Sequence, residues 1–188
     1  MSKFSAPAPR YAGPARHSTA GSNKPINRIV LHSTVSPCRS GQAQKTADYF
    51  KSSSAGGSAH YVVDPYETVQ CVFDGVIAWH APPNAHSLGI EMCDMPDMRM
   101  GRWKDAEHRL MFRRAAELVA ELCLAYDVPP WYVSARGLAR GKRGVTTHAQ
   151  VSQAFRQSTH WDPGAWPRLS FMRAVRANVR RLKKEQAK

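Results

Sequence analysis

The segment Asn27-Arg-Ile-Val-Leu-His32 sets three consecutive apolar residues directly before a histidine. A short, continuous apolar run of this kind predicts a strand that is buried on both faces of a sheet. His32 then lies at the end of a rigid element, which suits a metal ligand. Both the fold and a candidate site can be predicted outward from this strand.

Three other short segments also have strand patterns. Residues 60–64 form one candidate, and Pro65 and Tyr66 can turn the chain into residues 68–73 to make a hairpin. Residues 87–92 form a further apolar strand that ends in Ile-Glu-Met.

Apolar residues at helical spacing predict three helices. The first covers residues 42–51, and the clearest runs from about Ala106 to Tyr126, with Asp105 able to cap it. The last begins near Pro167 and buries one face, made of Met172, Val175, Val179 and Leu182. Strands interrupted by helices predict an α/β (mixed α+β) fold with a single central mixed β-sheet packed by helices.

The chain length of 188 residues suits one well-buried domain. Residues 1–24 are rich in Ser, Ala, Pro and Gly, so we expect them to form a flexible N-terminal arm before a folded domain over residues 25–188. No stretch has the pattern of a secretory signal peptide, and none is apolar for long enough to span a bilayer.

A formal net charge of +13 indicates an anionic partner such as nucleic acid, acidic lipid or an anionic cell wall. Much of the charge lies in the last predicted helix, at Arg168, Arg173, Arg176, Arg180, Arg181, Lys183 and Lys184. A solvated helix face explains this pattern as well as a dedicated binding surface does.

Three separated segments each offer a zinc-type ligand: His32, His148 and Asp162. Two imidazoles and one carboxylate suit a catalytic zinc site, because three protein ligands leave the fourth tetrahedral position open for water. Glu91, near the end of an apolar strand, is a candidate general base. His160, if protonated, could donate a hydrogen bond to the oxyanion of a hydrolysed amide.

Six motifs occur in one order: V-L-H-S-T at 30–34, S-A-H-Y-V-V-D at 58–64, A-W-H-A at 78–81, N-A-H-S-L-G-I-E at 84–91, T-T-H-A-Q at 146–150 and H-W-D-P-G at 160–164. Together they resemble the zinc-dependent N-acetylmuramoyl-L-alanine amidases (amidase type 2) that share the peptidoglycan recognition protein fold. The resemblance implies that residues 25–188 form a zinc amidase catalytic domain ending in a basic helix, with bacterial peptidoglycan as its substrate.

Carried over by position, the family pattern implies one Zn²⁺ ion held by His32, His148 and Asp162. It also implies a role for Glu91 in activating water and for His160 in stabilising the oxyanion. The residues implied or expected to line the substrate groove are His60, Trp79, His80, Asn84 and Trp161. The chain departs from the pattern at Ala59, where some phage members carry a catalytic tyrosine, so Glu91 is expected to do more here.

Each assignment has a structural alternative. His32 alone could be a core histidine, Glu91 a surface carboxylate at a strand end, and Asp162 part of an ordinary Asp-Pro-Gly turn. His160 could merely orient Asp162 rather than touch the substrate. His60 could hydrogen-bond the sheet, and the tryptophans could belong to the rim of the core.

The resemblance, the basic charge and the lack of a signal peptide look most like a phage endolysin. Such a protein is made in the host cytoplasm, reaches the cell wall through a holin, and lyses the host. Its basic last helix is expected to contact anionic wall polymers or lipid headgroups. The main alternative is a non-catalytic peptidoglycan-binding module of the same fold. A nucleic-acid-binding function is disfavoured, because it leaves the His, His, Asp and Glu pattern unexplained.

Overall fold

The computed structural model of the protein describes residues 10–187. Within this range the strands, in chain order, are β1 Arg10–Tyr11, β2 Ser18–Thr19, β3 Arg28–Ser33, β4 Tyr61–Val63, β5 Thr68–Gln70, β6 Ile77–Ala78, β7 Ser87–Met92 and β8 Gly144–Thr147. Six of them form a mixed sheet in the order β1-β5-β4-β7-β3-β8, while β2 and β6 form a separate antiparallel pair. Strand β3 lies between β7 and β8 and is parallel to both. The expected hairpin is the antiparallel pair of β4 and β5.

The helices are α1 Gln42–Lys51, α2 Ala106–Ala125, α3 Ala135–Ala139, α4 His148–Phe155 and α5 Arg168–Gln186, and a 3₁₀ helix covers Met100–Lys104. All three predicted helices are confirmed, and the Asp105 side chain accepts a hydrogen bond from the His108 backbone N–H as the N-cap of α2. The apolar face expected for α5 is buried against α2. No helix in the described part of the chain is long and apolar enough to cross a membrane.

Side chains of β3 alternate between the two faces of the sheet, and this alternation separates the core from the site. Ile29 and Leu31 belong to the main hydrophobic core together with the inner faces of α2 and α5. Val30 lies on the opposite face in a smaller cluster with residues of α3 and α4. His32 shares this second face. The confirmed mixed α/β architecture thus buries one face of the sheet under α2 and α5, while the other face carries a smaller apolar cluster and polar side chains such as His32.

The expected flexible arm over residues 1–24 is corrected for residues 10–24; residues 1–9 lie outside the described range. Strand β1 pairs with β5, and the Asn23 side chain is fully buried and donates to the Ser87 carbonyl over 2.7 Å. Because these contacts are made with distant segments, the low apolar content of this stretch gave no local sign of them. The folded domain therefore begins before residue 25.

Candidate metal centre

Three buried side chains from separate segments converge at one end of β3. His32, His148 and Asp162 each offer one ligand atom, and these atoms all lie within 4.8 Å of one another. The Nδ1 atom of His32 lies 3.3 Å from Asp162 Oδ2, and the Nδ1 atom of His148 lies 3.3 Å from Asp162 Oδ1. The structure thus brings together the three residues that the sequence indicated as metal ligands.

Local structure explains why these ligands are held close. His32 is near the end of β3, and His148 is the first residue of α4, directly after the adjacent strand β8. The backbone N–H of Ala149 donates to the Asp162 carbonyl over 3.1 Å, so the first turn of α4 holds the loop that carries Asp162. Two strands and one helix start therefore position all three ligands.

The donor set fits a divalent cation such as zinc. A tetrahedral zinc site with bonds of about 2.0–2.1 Å sets its ligand atoms about 3.3 Å apart, as the His–Asp contacts already are. Burial raises the pKa of Asp162, but the contacts with His148 and His32 outweigh this effect and hold the pKa well below its usual range. The ionised carboxylate has one buried oxygen, Oδ2, that accepts no hydrogen bond from the described residues.

Glu91 lies beside this centre. It is the register partner of His32 across β3 and β7, and its Oε1 atom lies 3.9 Å from His32 Nδ1. Its side chain is only 15% exposed, and Oε2 accepts no hydrogen bond from the described residues. Burial and the nearby charge of Asp162 raise the pKa of Glu91 well above its usual range. A buried carboxyl with a raised pKa beside candidate metal ligands is a candidate proton-transfer group.

A chain of hydrogen bonds behind His32 orients its ring. His32 Nε2 lies 3.1 Å from His80 Nδ1, and His80 Nε2 lies 3.0 Å from the hydroxyl of Ser87, which donates to the Asn84 carbonyl. If each group donates to the next along this chain, the proton of His32 resides on Nε2. Its Nδ1 lone pair is then available to a metal, as expected for a ligating histidine whose other nitrogen is bound.

Two serine hydroxyls orient the ring of His148 in a similar way, through a longer contact. Its Nε2 atom lies 3.3 Å from the Ser158 hydroxyl, which in turn lies 2.6 Å from the Ser152 hydroxyl. Burial lowers the pKa of His148, which favours the neutral imidazole that a metal requires.

His160 lies at the edge of the centre. Its ring stacks on that of His148 with centroids 4.3 Å apart, and its side chain is 65% exposed to the groove and solvent. Burial and the neighbouring His148 lower the pKa of His160, so a neutral ring N–H is the donor it offers at neutral pH. Its Nδ1 atom is 3.6 Å from Asp162 Oδ1, which is longer than a hydrogen bond.

The expected groove role of His60 is wrong. His60 is fully buried, accepts a hydrogen bond from the Gly89 N–H at Nδ1, and contacts the Val76 carbonyl at Nε2. Burial lowers its pKa to about 4, so the ring is neutral. His60 is instead the sheet-bonding residue of the alternative prediction, and it links β7 to the segment before β6 and to Asn23.

An open groove of about 990 Å³ runs over the centre. Trp79 and Trp161, which are 44% and 53% exposed, line it as expected for the two groove tryptophans. His80 and Asn84 also line it, but the Asn84 Oδ1 atom accepts from the backbone N–H groups of His80 and Ala81 and so shapes the loop that carries His80.

One side of the groove was missed from the sequence. Helix α1 contributes Gln42, Lys45, Thr46 and Tyr49 to the lining. Lys45 and Tyr49 are exposed and one helical turn apart, and that spacing within the predicted helix was the available signal.

Comparisons with known proteins agree with this geometry. The chain is 33% identical over 120 residues to a probable N-acetylmuramoyl-L-alanine amidase from Bacillus licheniformis, a match that covers 55% of this chain and 31% of that protein. The structure resembles that of the Staphylococcus aureus hydrolase AmiA in complex with its ligand, with a TM-score of 0.71 and 16% identity over 92% of this chain and 83% of that one.

It also resembles the endolysin N-acetylmuramoyl-L-alanine amidase LysCS from Clostridium intestinale, with a TM-score of 0.58 and 17% identity over 89% of this chain and 96% of that one. At these identities the structural likeness shows the fold. The family model described as N-acetylmuramoyl-L-alanine amidase matches residues 22–165, which include all three candidate ligands and Glu91. The chain therefore belongs to the N-acetylmuramoyl-L-alanine amidase family, amidase type 2.

Proposed function

We propose that this chain hydrolyses the amide bond between the lactyl group of N-acetylmuramic acid and the L-alanine of the stem peptide in bacterial peptidoglycan. The observation that carries the proposal is the buried set of His32, His148 and Asp162 beside Glu91, under an open groove. Membership of the amidase family supports the choice of bond.

His32, His148 and Asp162 are proposed to hold one zinc ion. When bound, zinc supplies a Lewis acid that polarises the scissile carbonyl and lowers the pKa of water at its open position to about 7. The two imidazoles have their other nitrogens bound by His80 and Ser158, which supports a ligand role for both Nδ1 atoms.

Glu91 is the proposed general base and acid. Its Oε2 atom has no hydrogen-bond partner among the described residues, so it can take a proton from the attacking water and deliver it to the leaving nitrogen. Because the pKa of Glu91 is raised, the carboxylate is a stronger base than an exposed glutamate.

His160 is the proposed donor to the carbonyl oxygen as negative charge develops there. Its exposure to the groove supports this role over that of orienting Asp162, because no hydrogen bond joins the two side chains. Loss of such a donor costs about a hundredfold or more in rate. His160→Ala should therefore lower turnover and leave zinc affinity unchanged, whereas an orienting residue would lower both.

The product formed from purified peptidoglycan tests the activity. An amidase releases new amino groups with N-terminal alanine, and the release should stop with a chelator and return with added zinc. New reducing sugar ends would indicate a glycosidase and overturn the proposed site. Wall binding without any product would support the alternative of a non-catalytic peptidoglycan-binding module.

The solvent side of α5 is proposed to hold the enzyme near anionic wall polymers or lipid headgroups. Arg173, Arg180, Lys183 and Lys184 are exposed there, and no ion pair to any of them occurs within residues 10–187. Charge reversal at Arg173 and Arg180 should reduce activity on intact cells more than on a soluble muropeptide, with reversal of the exposed Arg136 and Arg140 on and beside α3 as the control. Equal losses on both substrates would give the helix a structural role only.

We also propose that this chain lyses a bacterial host during phage release. A structural neighbour described as an endolysin supports it. Expression inside a host with and without a holin tests it, because lysis is expected only when the holin opens a route to the wall.

A further inference from the structure

A buried ion pair lies beside the metal centre without taking part in it. Asp94 follows β7, its side chain is 1% exposed, and Arg102 of the 3₁₀ helix covers it with a side chain that is 13% exposed. The Nε atom of Arg102 lies 3.0 Å from both carboxylate oxygens, and one terminal nitrogen lies 2.9 Å from Oδ2. This is a two-pronged carboxylate–guanidinium contact.

The remaining N–H groups of Arg102 bind backbone carbonyls. One terminal nitrogen donates to Asp97 and Arg99 over 3.0 and 2.8 Å, and the other donates to Pro163 over 2.9 Å. All five N–H donors of the guanidinium are thus satisfied, which only arginine can achieve in this planar arrangement. The Pro163 carbonyl is the important partner, because Pro163 directly follows the ligand Asp162.

Two further contacts fasten the same loop to the segment around Asp94. The Ala165 N–H donates to the Asp97 carbonyl over 2.9 Å, and the Trp103 indole donates to the Ala165 carbonyl over 3.0 Å. Gly164, which lies between Pro163 and Ala165, has a φ of +71°, and a Cβ atom there would lie 2.5 Å from the Asp97 carbonyl oxygen. The close approach of the two segments therefore requires glycine at this position.

Asp94 also contacts the strand that carries the first histidine ligand. The Ser33 hydroxyl donates to Asp94 Oδ2 over 3.2 Å, and Ser33 directly follows His32. The one buried carboxylate therefore bonds to the end of β3 and, through Arg102, to the loop after Asp162. These are two of the three segments that supply candidate ligands.

We propose that Asp94 and Arg102 are positioning residues that fix the distance between His32 and Asp162 and so set the affinity of the centre for zinc. The proposal rests on the proposed metal site. A buried ion pair is weak evidence for stability, because desolvation of both charges offsets much of their attraction. Arg102 has a geometric role instead, because its directional bonds join Asp94 to the Pro163 carbonyl in the loop that carries Asp162.

Zinc affinity tests the proposal, measured on the whole chain by competition with a chromophoric chelator. Arg102→Lys keeps the charge but cannot make the five bonds, and Asp94→Asn keeps the shape but loses the charge. Each should weaken zinc binding about 10-fold to 100-fold, as replacement of groups behind metal ligands commonly does. Arg99→Ala is the matched control, because that side chain is exposed and its backbone carbonyl remains for Arg102.

A second measurement uses the unaltered protein and so does not depend on how well a variant folds. If the loop and the centre are coupled, zinc should slow amide hydrogen exchange in residues 97–105 as well as in 162–165, because coupling between two sites is reciprocal. Protection confined to the ligand segments, or variants that bind zinc as tightly as Arg99→Ala, would overturn the proposal. Failure of the unaltered chain to bind zinc would instead refute the proposed metal site.

Discussion

His32 on β3 and Glu91 on β7 are register partners in adjacent parallel strands, with Nδ1 and Oε1 3.9 Å apart. Their spacing is set by the hydrogen bonds of the sheet rather than by a loop. The proposed metal ligand and the proposed proton-transfer group therefore keep their relative geometry without the substrate, which is the condition for a preorganised site.

Glu91→Gln should separate proton transfer from metal binding. The amide has the same shape but cannot take a proton, so turnover should fall about 10²- to 10⁴-fold while one zinc per chain is retained. The free energy of unfolding should not decrease, because burial already disfavours the charged form of Glu91. Release of N-terminal alanine, zinc content and urea denaturation measure these three quantities.

The matched control for Glu91→Gln is Glu117→Gln on the exposed side of α2. It makes the same chemical change and should keep full turnover. A Glu91→Gln protein as active as this control would remove Glu91 from the mechanism.

The sequence predicted the elements whose apolar residues repeat locally. The long helices α2 and α5 and the strand Ser87–Met92 follow from side-chain periodicity alone. Strand β8 and helix α4 were not predicted as elements, because four and eight residues of mixed polarity give little periodic signal. The low apolar content of residues 10–24 predicts a flexible arm. This prediction fails because the segment is ordered by contacts with distant residues, such as that of Asn23 with His60.

The sequence predicts the candidate metal ligands of the site, but not the surrounding residues that hold those ligands in place. His32, His148 and Asp162 are chemically distinctive residues, and the structure brings them together. The motif around His60 resembles those of the groove residues, yet its side chain is fully buried. The local sequence does not show whether the side chain of a residue beside a short strand points to the groove or to the interior. Asp94 and Arg102 lie in an irregular, charged segment, so their contact with the loop after Asp162 depends entirely on tertiary packing.

His80→Ala should weaken zinc binding without removing a ligand. The change deletes the acceptor for His32 Nε2, so the proton position and the orientation of the ligand ring are no longer fixed. Loss of such a partner costs about 10-fold to 100-fold in metal affinity. His80→Asn offers a carbonyl oxygen near the position of Nδ1 and should recover part of the affinity, as measured by chelator competition. Equal affinities for both variants and the unaltered chain would contradict the orienting role.

Gly89→Ala should disturb the same ring from behind. A Cβ at Gly89 would lie 2.6 Å from His80 Cγ, so His80 must move. We expect about 1–3 kcal/mol of destabilisation from overpacking, together with weaker zinc binding. Urea denaturation in the presence of a chelator measures the free energy of unfolding, and competition with a chromophoric chelator measures the zinc affinity. Gly75→Ala is the control, since no atom lies within 4 Å of a Cβ there; a Gly89→Ala protein that matched it in both measurements would show that His80 tolerates the shift.

His108 should make the stability of the chain depend on pH. The ring of His108 lies between two carboxylates, with Nε2 3.0 Å from Asp94 and Nδ1 2.7 Å from Asp105. Burial lowers the pKa of His108, but the hydrogen bonds to Asp94 and Asp105 outweigh it and raise the pKa above the ordinary 6.5. The folded state therefore binds this proton more tightly than the unfolded state does.

The sign of the effect follows from that difference in pKa. The stabilisation is fully present below pH 6.5, where His108 is protonated in both states, and it is lost as the pH rises through the raised pKa of the folded state. His108→Gln should therefore lower the free energy of unfolding more at pH 5.5 than at pH 8.5. Urea denaturation of both proteins, with chelator present and across this pH range, measures the difference. A gap that stays constant with pH would show that folding does not shift the pKa of His108.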